Sequence, residues 1–398
     1  MRATRATAWC ALLSLIGVGL SGYLSVIHFG LLRGELLGGA ACGTGAFNCH
    51  AVTAGAYGVV RGMPLALWGV LGYFTVLALS LLGRQSADWA ERAMTLIFLL
   101  VGVFVGIDAL LLILMVFVIR YYCLFCLLTY AVNLLLLVIA ARSLGYPWPA
   151  SIRRAGPALA ALVPSSQRPA AWLFWGMMGL VVFSTAGLNA ATTFVSRGPL
   201  GAVRTQLREF VSSQSRVSVD VASDPATGPA TAPIQIVEFS DLLCPACQRA
   251  SKLNTIILAG HRHDTQLVFK HFPLDMSCNE TVTRMVHPGA CRLAAATECA
   301  HLQGKFWALH DRIFAEGPHY NPAHLEEDAQ RAGLDLSRFD ACLTSGEGLE
   351  AVKRDIAEAV KIGVTSTPTY VINGLRIAGG LSPSVFEDLV DVLHETGR

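Results

Sequence analysis

Residues 120–130 read RYYCLFCLLTY, and the stretch places a Cys-x-x-Cys pair, Cys123 and Cys126, between two apolar runs. A second pair, Cys244 and Cys247, lies in the sequence CPAC within a part of the chain that reads as a soluble domain. One dithiol at a membrane surface and one outside the membrane suggest an electron relay.

Composition limits the classes of protein to which the chain can belong. Of its 398 residues 53% are hydrophobic and 15% are charged, with a net charge of +2. The chain is too apolar for a single soluble domain, and no basic excess indicates nucleic acid as a partner. Eleven cysteines favour an oxidising, exported setting. No Cys/His cluster has zinc-finger spacing, so no metal site is expected.

Five apolar runs have about the 20 residues that a helix needs to cross a bilayer. They are Trp9–Leu32, Pro64–Leu82, Met94–Ile119, Leu124–Ala141 and Trp172–Val195. Short connections between the first four predict a four-helix bundle. The predicted order is a membrane domain over 1–142, a cytoplasmic loop and fifth membrane helix over 143–195, a linker over 196–233 and a soluble domain over 234–398. Within the linker, 199–213 could form a short amphipathic helix.

Arginines orient these spans, because cytoplasmic loops carry an excess of basic residues. One side of the predicted membrane has Arg2, Arg5, Arg84, Arg92, Arg142, Arg153, Arg154 and Arg168, and the other has Arg33, Arg61 and Arg120. The N-terminus is therefore expected in the cytoplasm. The 33–62 loop, the Cys123/Cys126 pair and the soluble domain are expected outside, in the periplasmic or extracytoplasmic space.

The soluble domain has an α/β order with a helical insertion. Its predicted strands and helices are strand 234–239, helix 247–259, strand 266–272, a helical region over 291–345, helix 349–362, strands 369–372 and 375–378, and a last helix from Pro383. The two short strands flank an Asn-Gly turn, which is typical of a hairpin.

Cys244 stands where a strand has ended and a helix begins. Free N–H groups at a helix N-terminus stabilise a thiolate, so Cys244 is the candidate nucleophile and Cys247 the resolving thiol. Half of a zinc site and a structural disulfide are the alternatives. Further along, Thr367 and Pro368 precede a strand, and a cis proline there would leave backbone free to pair with a bound peptide.

Residues 234–398 resemble the DsbA-like branch of the thioredoxin superfamily. The resemblance rests on the Cys-Pro-x-Cys helix start, on FKHFPL at 269–274 and on Thr367-Pro368-Thr369. It implies a thioredoxin fold and thiol–disulfide exchange with reduced proteins. The dipeptide Pro245-Ala246 lacks the His of the strongly oxidising members.

Four further cysteines lie in the predicted helical insertion or close before it. Cys278, Cys291, Cys299 and Cys342 are expected to form structural disulfides, with the pairings 278–291 and 299–342. Each would contribute a few kcal/mol by restricting the unfolded chain.

The membrane domain has a second cysteine pair in its first outside loop. Glycines flank Cys42, which favours a mobile dithiol with Cys49 that reaches two domains in turn; a loop-closing disulfide is the alternative. Tyr130 follows Cys126 by four residues and therefore lies on the same helical face. A thiolate and a phenol there could bind and reduce a lipid-soluble electron acceptor. The alternative for Tyr130 is an interfacial belt aromatic.

Residues 9–142 resemble the vitamin K epoxide reductase (VKOR) family. The resemblance rests on the four spans, the loop cysteine pair, CLFC followed by Thr129-Tyr130-Ala131, and MPLALWG at 63–69. The last of these is similar to bacterial members, some of which have a fused thioredoxin-like domain. The family implies a route from Cys42 to Cys49, then to Cys123, with Cys126 meeting the quinone. Tyr130 matches the tyrosine that hydrogen-bonds a quinone oxygen.

One position departs from the family pattern. The family usually has Ser six residues after the second loop cysteine, and this chain has Gly55 there. Thr53 is the nearby hydroxyl that could replace it.

Three other polar residues fall within the spans. Asp108 lies mid-span and well below the expected quinone, where a carboxylate is costly, and it either relays protons or is hydrogen-bonded within the bundle. His28 reads as a packed interfacial residue, and Cys10 as a small apolar filler.

Together these features predict quinone-dependent disulfide formation in exported proteins by a multi-pass protein of the bacterial inner membrane. The quinone would be of the menaquinone, ubiquinone or phylloquinone type. Two other hypotheses remain open. One is a transmembrane reductase or isomerase system with the opposite electron flow, and the other is a membrane-tethered chaperone whose disulfides are structural.

Overall fold

The computed structural model describes residues 2–32, 47–54, 56–144, 148–166, 169–197 and 202–395. The chain divides into two compact units, Met1–Leu200 and Gly201–Arg398. In the part that the structure describes, the first unit consists mainly of helices and the second is built on a five-stranded sheet.

Long apolar helices make up most of the first unit. Its elements are α1 (Arg2–Leu32), α2 (Cys49–Ala54), β1 (Val59–Val60), β2 (Met63–Pro64), α3 (Leu65–Leu82), α4 (Ala87–Ile113), α5 (Leu124–Ser143), α6 (Trp148–Ala161) and α7 (Pro169–Arg197). Within the described ranges, five helices are long and apolar enough to cross a membrane, namely α1, α3, α4, α5 and α7. Helix α4 begins earlier than predicted, because the Ser86 hydroxyl caps it by accepting the N–H of Trp89 at 3.2 Å.

The first four apolar helices share one core, as the sequence predicts. Val76 of α3, Ile97 of α4 and Leu136 of α5 are fully buried in it, together with Cys10 of α1. Helices α1 and α3 approach closely at Gly17, where a Cβ atom would stand 2.4 Å from the ring of Tyr73. A side chain at position 17 would therefore push these two helices apart.

The end of α4 determines where the Cys-x-x-Cys pair lies. The helix continues as a π-helical turn over Leu114–Ile119 and stops at Arg120, whose φ of 61° is left-handed. After two further residues, Cys123 caps α5: its Sγ accepts the N–H of Cys126 at 3.1 Å. The pair thus opens a helix, as expected.

A helix that the sequence did not predict lies in the loop between α5 and α7. Helix α6 has Pro157 in its interior and two arginines, Arg153 and Arg154, on its exposed surface. Its Ala158 is buried against the core of the bundle, and Arg154 forms an ion pair with Glu91 of α4. The loop is therefore partly packed on the bundle.

The second unit has an α/β fold of the thioredoxin type with a helical insertion. Its elements are α8 (Ala202–Ser213), β3 (Ala226–Thr227), β4 (Ile234–Ser240), α9 (Pro245–Gly260), β5 (Thr265–His271), α10 (Ala290–His301), α11 (Phe306–Glu316), α12 (Leu325–Arg331), α13 (Leu336–Ser345), α14 (Glu347–Lys361), β6 (Thr369–Ile372), β7 (Leu375–Ala378) and α15 (Pro383–Glu395). The strand order is β3-β5-β4-β6-β7, with β4 and β5 parallel and the other pairs antiparallel.

Helices cover both faces of this sheet, which explains why β4 is apolar along most of its length. On one face Ile236 packs with Phe386 of α15, and on the other Phe239 packs with Val352 of α14. Because successive side chains of a strand point to opposite faces, a strand covered on both faces reads as a continuous apolar run.

The segment predicted as a linker is largely part of the second unit. Val211 of α8 is buried with Phe386, and Arg208 pairs with Glu395 at 2.5 Å. Strand β3 then extends the sheet by pairing with β5. The expected linker over 196–233 therefore needs correction for residues 202–233, because apolar and backbone contacts attach them to the sheet.

Two disulfides hold the region between β5 and α14. One joins Cys278 to Cys291, and the other joins Cys299 of α10 to Cys342 of α13. These are the two pairings that the sequence suggested.

Candidate redox centres

Cys244 lies at the N-cap of α9, directly after β4 and a short turn. Pro245 occupies the first helical position, where its missing N–H costs nothing and its fixed φ suits the helix. Cys244 is largely buried and Cys247 is completely buried beneath it. Cys244 Sγ lies 3.6 Å from the carbonyl oxygen of Thr367, and the Thr367–Pro368 bond is cis.

The two thiols of this pair are electrostatically unequal. A hydrogen bond from the Cys247 thiol, with others from backbone N–H groups, outweighs burial and lowers the pKa of Cys244 to about 5. Burial, with the hydrogen bond to Cys244, raises the pKa of Cys247 well above its usual value. Cys244 is therefore a thiolate at neutral pH, and Cys247 keeps its proton until it reacts.

A buried carboxyl group lies on β4 close to this dithiol. Glu238 Oε2 accepts the side-chain N–H of Asn254 at 2.6 Å, and Asn254 Oδ1 accepts the hydroxyl of Tyr370 at 2.9 Å. Burial, together with the negative charge of Cys244, raises the pKa of Glu238 to about 7. The sequence analysis missed Glu238, although a single acid in the apolar strand IQIVEF is a usable signal.

Glu238→Gln is expected to slow the attack of Cys247 on a mixed disulfide. Cys247 must lose a proton to attack, and Glu238 is the buried carboxyl whose negative charge reaches that thiol and raises its pKa, so it is the group placed to accept the proton that leaves. A positioned base contributes on the order of 10²-fold. Quenched-flow trapping of the mixed disulfide at pH 7 measures the rate. Glu298→Gln removes another buried glutamate, on α10, and is the control; equal rates in the two variants would contradict the role.

A second buried acid, Asp241, organises the turn between β4 and Cys244. Its Oδ1 accepts the N–H of Leu243 at 2.8 Å, and its Oδ2 accepts the N–H of Leu274 at 2.7 Å. The same Oδ2 lies 2.8 Å from Nδ1 of His287. This hydrogen bond to Asp241, opposed by burial, raises the pKa of His287, and the negative charge of Cys244 raises it further. His287 was missed because it lies 43 residues from Cys244 in sequence, beyond any local motif.

In the first unit, the second loop cysteine lies in the same buried cluster as the Cys-x-x-Cys pair. Cys49 and Cys123 are fully buried in one cluster with Ile27 and Met115. The backbone brings them together, because the N–H of Asn48 donates to the carbonyl of Tyr122 at 2.9 Å. Cys123 and Cys126 form a disulfide, and the N–H of Cys123 donates to Met115 Sδ at 3.4 Å. Cys42 lies outside the described residues.

A cavity opens beside Cys126 between α1, α3, α4 and α5. It holds about 1080 Å³ of space, part of it open to the outside, and most of its wall is apolar. Tyr130 lines it and packs against the cluster that holds Cys123. The expected pairing of Cys126 and Tyr130 on one helical face is therefore present.

The cavity also contains residues that the sequence placed elsewhere or missed. Asp108 was expected well below the quinone, but it lines the same cavity as Cys126. Asn133, which the sequence analysis missed, donates from Nδ2 to Asp108 Oδ2 at 2.8 Å. Its position three residues after Tyr130 on an apolar helix could have revealed it.

The cavity wall near α2 includes Thr53, which is two residues before Gly55, the position that departs from the family pattern. Thr53 lines the cavity, and its carbonyl lies 3.0 Å from Nδ1 of His28. The Thr53 hydroxyl donates to the carbonyl of Cys49 at 2.9 Å. Gly55 lies outside the described residues. His28 therefore packs against α2, in agreement with the prediction that it is a packed residue.

Comparison with known proteins gives a family for each unit. A model of the "Vitamin K epoxide reductase family" matches residues 8–141, and a model described as "DSBA-like thioredoxin domain" matches residues 235–391.

Curated relatives include two proteins named as Na(+)/H(+) antiporters. NhaA 3 of Salinispora tropica is 35% identical over 163 residues, which is 41% of this chain and 24% of that protein. NhaA of Herminiimonas arsenicoxydans is 34% identical over 161 residues, which is 40% of this chain and 24% of that protein. The alignments thus span about a quarter of the length of these relatives.

Solved structures that resemble the chain include a thioredoxin-like oxidoreductase from Silicibacter pomeroyi DSS-3. It is 24% identical with a TM-score of 0.38 and covers 44% of this chain and 94% of its own. Oxidised BdbD from Bacillus subtilis is 20% identical with a TM-score of 0.38 and covers 46% and 98%. On the two family matches, the chain joins a domain of the vitamin K epoxide reductase family to a DsbA-like thioredoxin domain, both of them thiol–disulfide oxidoreductase folds.

Proposed function

We propose that this thiol–disulfide oxidoreductase forms disulfides in exported proteins and passes the electrons to a membrane quinone. The observation that carries the proposal is the cavity beside Cys126. Cys126 and Tyr130 line an apolar cavity, and Cys123 is buried in one cluster with Cys49. A planar apolar ring with polar oxygens fits such a wall, because its few polar groups include a phenol, a carboxyl and an amide.

Each transfer in the proposed route is a two-electron thiol–disulfide exchange through a mixed disulfide. Two thiols of a client protein reduce the Cys244–Cys247 disulfide and become a disulfide themselves. Cys244 and Cys247 then reduce the Cys42–Cys49 disulfide, and Cys49 passes the reducing equivalents to Cys123. Closure of the Cys123–Cys126 disulfide finally releases two electrons and two protons to a quinone, which yields the hydroquinone.

The electrostatics of Cys244 favour this direction of flow. Its pKa of about 5 means that the reduced form is stabilised as a thiolate at neutral pH. A dithiol whose reduced form is stabilised is a strong oxidant of other thiols. Client backbone would pair beside Thr367 and Pro368, where the carbonyl of Thr367 already faces the Cys244 thiol.

The five apolar helices indicate insertion in a membrane. We propose an inner-membrane location with the N-terminus in the cytoplasm, because the arginines are then concentrated on the cytoplasmic side. The membrane domain would end near residue 142, and the catalytic part of the soluble domain would run from 234 to 398. The quinone would be of the menaquinone, ubiquinone or phylloquinone type.

Quinone reduction by the purified full-length protein tests the proposal. With dithiothreitol as the electron donor and menadione as the acceptor, the wild type is expected to exceed the uncatalysed rate, and Cys126→Ala is expected to abolish the excess. Cys10→Ala is the control, because Cys10 is a free, buried cysteine in the bundle core outside the cavity. Equal rates in wild type and Cys126→Ala would overturn the proposal.

Trapping with Cys247→Ala tests the route between the dithiols. Without its resolving thiol, Cys244 is expected to accumulate in a mixed disulfide with Cys42, identified by non-reducing peptide mapping. A different cysteine in that adduct would contradict the route. A mainly reduced Cys244/Cys247 pair in cells would instead favour the reductase hypothesis.

A further inference from the structure

An unpartnered amide oxygen lies in the wall of the cavity beside Cys126. Asn133 is 5% exposed, and its Oδ1 accepts no hydrogen bond from any group that the structure describes. A buried acceptor without a donor loses its hydrogen bonds to water and gains nothing in return. Since the residue lines the cavity, the missing donor is to be sought in what the cavity binds.

Asp108 determines which end of the Asn133 amide is left free. The two atoms of an amide are told apart by their hydrogen bonds. Here Nδ2 donates to Asp108 Oδ2 at 2.8 Å, an orientation that a carboxylate acceptor requires. The Oδ1 atom is therefore the free end, and it can only accept.

The position of Asn133 on α5 relates it to the reacting thiol. Cys126, Tyr130 and Asn133 are spaced by four and then three residues, so they lie on one face of the helix. At a rise of 1.5 Å per residue, Asn133 lies about 10 Å along the axis from Cys126. A ring bound in this cavity would therefore have Cys126 and Tyr130 at one end and Asn133 at the other.

We propose that Asn133, oriented by Asp108, accepts a hydrogen bond from a ring hydroxyl of the hydroquinone formed at Cys126. This inference rests on the proposed function. An oxidised quinone has carbonyl oxygens and no O–H to donate, whereas the hydroquinone has one at each end. The cavity would thus bind the reduced ring better than the oxidised ring at this end, and the interaction would favour electron transfer out of the dithiol.

A pair of redox-inactive ligands isolates this hydrogen bond. 1-Naphthol has the O–H donor and 1-methoxynaphthalene lacks it. Titration calorimetry of the full-length protein in nanodiscs gives the ratio of their dissociation constants. The dissociation constant of 1-methoxynaphthalene divided by that of 1-naphthol is expected to be about tenfold larger for the wild type than for Asn133→Leu. A factor of this size is the effect of one buried hydrogen bond. The two ligands partition unequally into lipid, but this affects the ratio equally in the wild type and in the variant. The comparison between the two proteins therefore removes it.

Two further variants complete the experiment. Asp108→Asn keeps the shape of the side chain but lets the amide of Asn133 turn over, so part of the preference is expected to disappear even if Asn133→Leu fails to fold. Ser80→Ala removes a buried hydroxyl of the bundle outside the cavity and is expected to keep the wild-type ratio.

The outcomes separate this inference from the proposed function. The role of Asn133 is overturned if the wild type and Asn133→Leu give the same ligand ratio. If the leucine variant is unfolded, the same ratio in the wild type and Asp108→Asn overturns it. Menadione reduction can remain intact in either case. Loss of menadione reduction in the wild type itself would instead refute the proposed function.

Discussion

Lys270→Met is expected to destabilise the second unit by roughly 3–5 kcal/mol, the usual cost of removing one partner from a buried ion pair. Lys270 is 4% exposed on β5. Its Nζ lies 2.7 Å from Asp224, 3.0 Å from Asp355 and 2.9 Å from Glu358. Burial disfavours the ammonium, but these carboxylates outweigh burial and raise the pKa of Lys270. Methionine would leave the buried Asp355 and the partly buried Asp224 and Glu358 together without a cation.

The loss should depend on pH in a defined direction. Burial already raises the pKa of Asp224 to about 6, and it raises that of Asp355. Without Lys270 these folded-state pKa values rise further above their unfolded values. Such groups give stability that is present at low pH and lost as pH rises through the folded pKa. The variant is therefore expected to be closer to the wild type at pH 5 than at pH 8.

Hydrogen exchange of full-length protein, read by mass spectrometry on peptides covering β5, measures the opening free energy. Lys353→Met is the matched control, because Lys353 pairs with Glu350 at 2.8 Å but both side chains are at least half exposed. Exposed pairs contribute about 0–1 kcal/mol. Equal losses in the two lysine variants, or a larger loss at pH 5 than at pH 8, would contradict the account of this network.

Local patterns in the sequence predict much of this molecule, and long-range contacts account for the rest. The spacing of Cys126 and Tyr130 is a property of one helix, so their shared face follows from sequence. Asp108 is different, because its place in the cavity depends on how α4 is rotated against α5. Lys270 illustrates the same limit: FKHF at 269–272 reads as a strand motif, while the partners of Lys270 come from positions 224, 355 and 358.

Segment 202–233 shows how composition can mislead. Its second half is rich in Pro, Ala, Thr and Gly, which is typical of a flexible connector. The structure nevertheless attaches it, through Val211 in the core beside α15 and through the pairing of β3 with β5. The two paired residues of β3 leave almost no periodic signal, whereas the amphipathic pattern over 199–213 did indicate the helix that is found as α8.

His287→Gln is expected to raise the pKa of Cys244 by roughly one unit, the size of shift that loss of a nearby opposite charge produces. Asp241 is fully buried and its backbone adjoins both thiols: its carbonyl accepts the N–H of Cys244 at 3.0 Å, and its N–H donates to Cys247 Sγ at 3.5 Å. An anion there opposes the thiolate unless a cation balances it. Protonated His287 supplies that cation, and glutamine keeps a hydrogen-bond donor but not the charge.

His287, which supplies the balancing charge, lies in a loop that the Cys278–Cys291 disulfide closes. The N–H of His287 donates to the carbonyl of Leu274 at 3.0 Å, which holds the loop against the turn that contains Asp241. Because its partners raise the pKa of His287, the positive charge is kept to higher pH than on an ordinary histidine and is lost as pH rises through the raised pKa. His287 would therefore have the role of the histidine that strongly oxidising members have between their two cysteines and that the Cys-Pro-Ala-Cys motif lacks.

The pH dependence of Cys244 alkylation, followed by peptide mass spectrometry in the full-length protein, reads the thiolate directly. Its midpoint is expected near pH 5 in the wild type and about one pH unit higher in His287→Gln. The equilibrium constant for oxidation of glutathione by the Cys244–Cys247 disulfide should fall roughly tenfold, since one unit of pKa corresponds to a factor of ten. A purely structural role for His287 would leave the midpoint unchanged.

His261→Gln is the matched control for this charge. The two histidines are similarly buried, with side chains 15% and 16% exposed, and His261 pairs with Glu387 at 2.9 Å. The hydrogen bond to Glu387, opposed by burial, raises the pKa of His261 to about 9. It caps the C-terminal end of α9, about 25 Å from Cys244 at 1.5 Å per residue. At that distance solvent and counterions screen the charge, so only the histidine beside Asp241 is expected to move the midpoint.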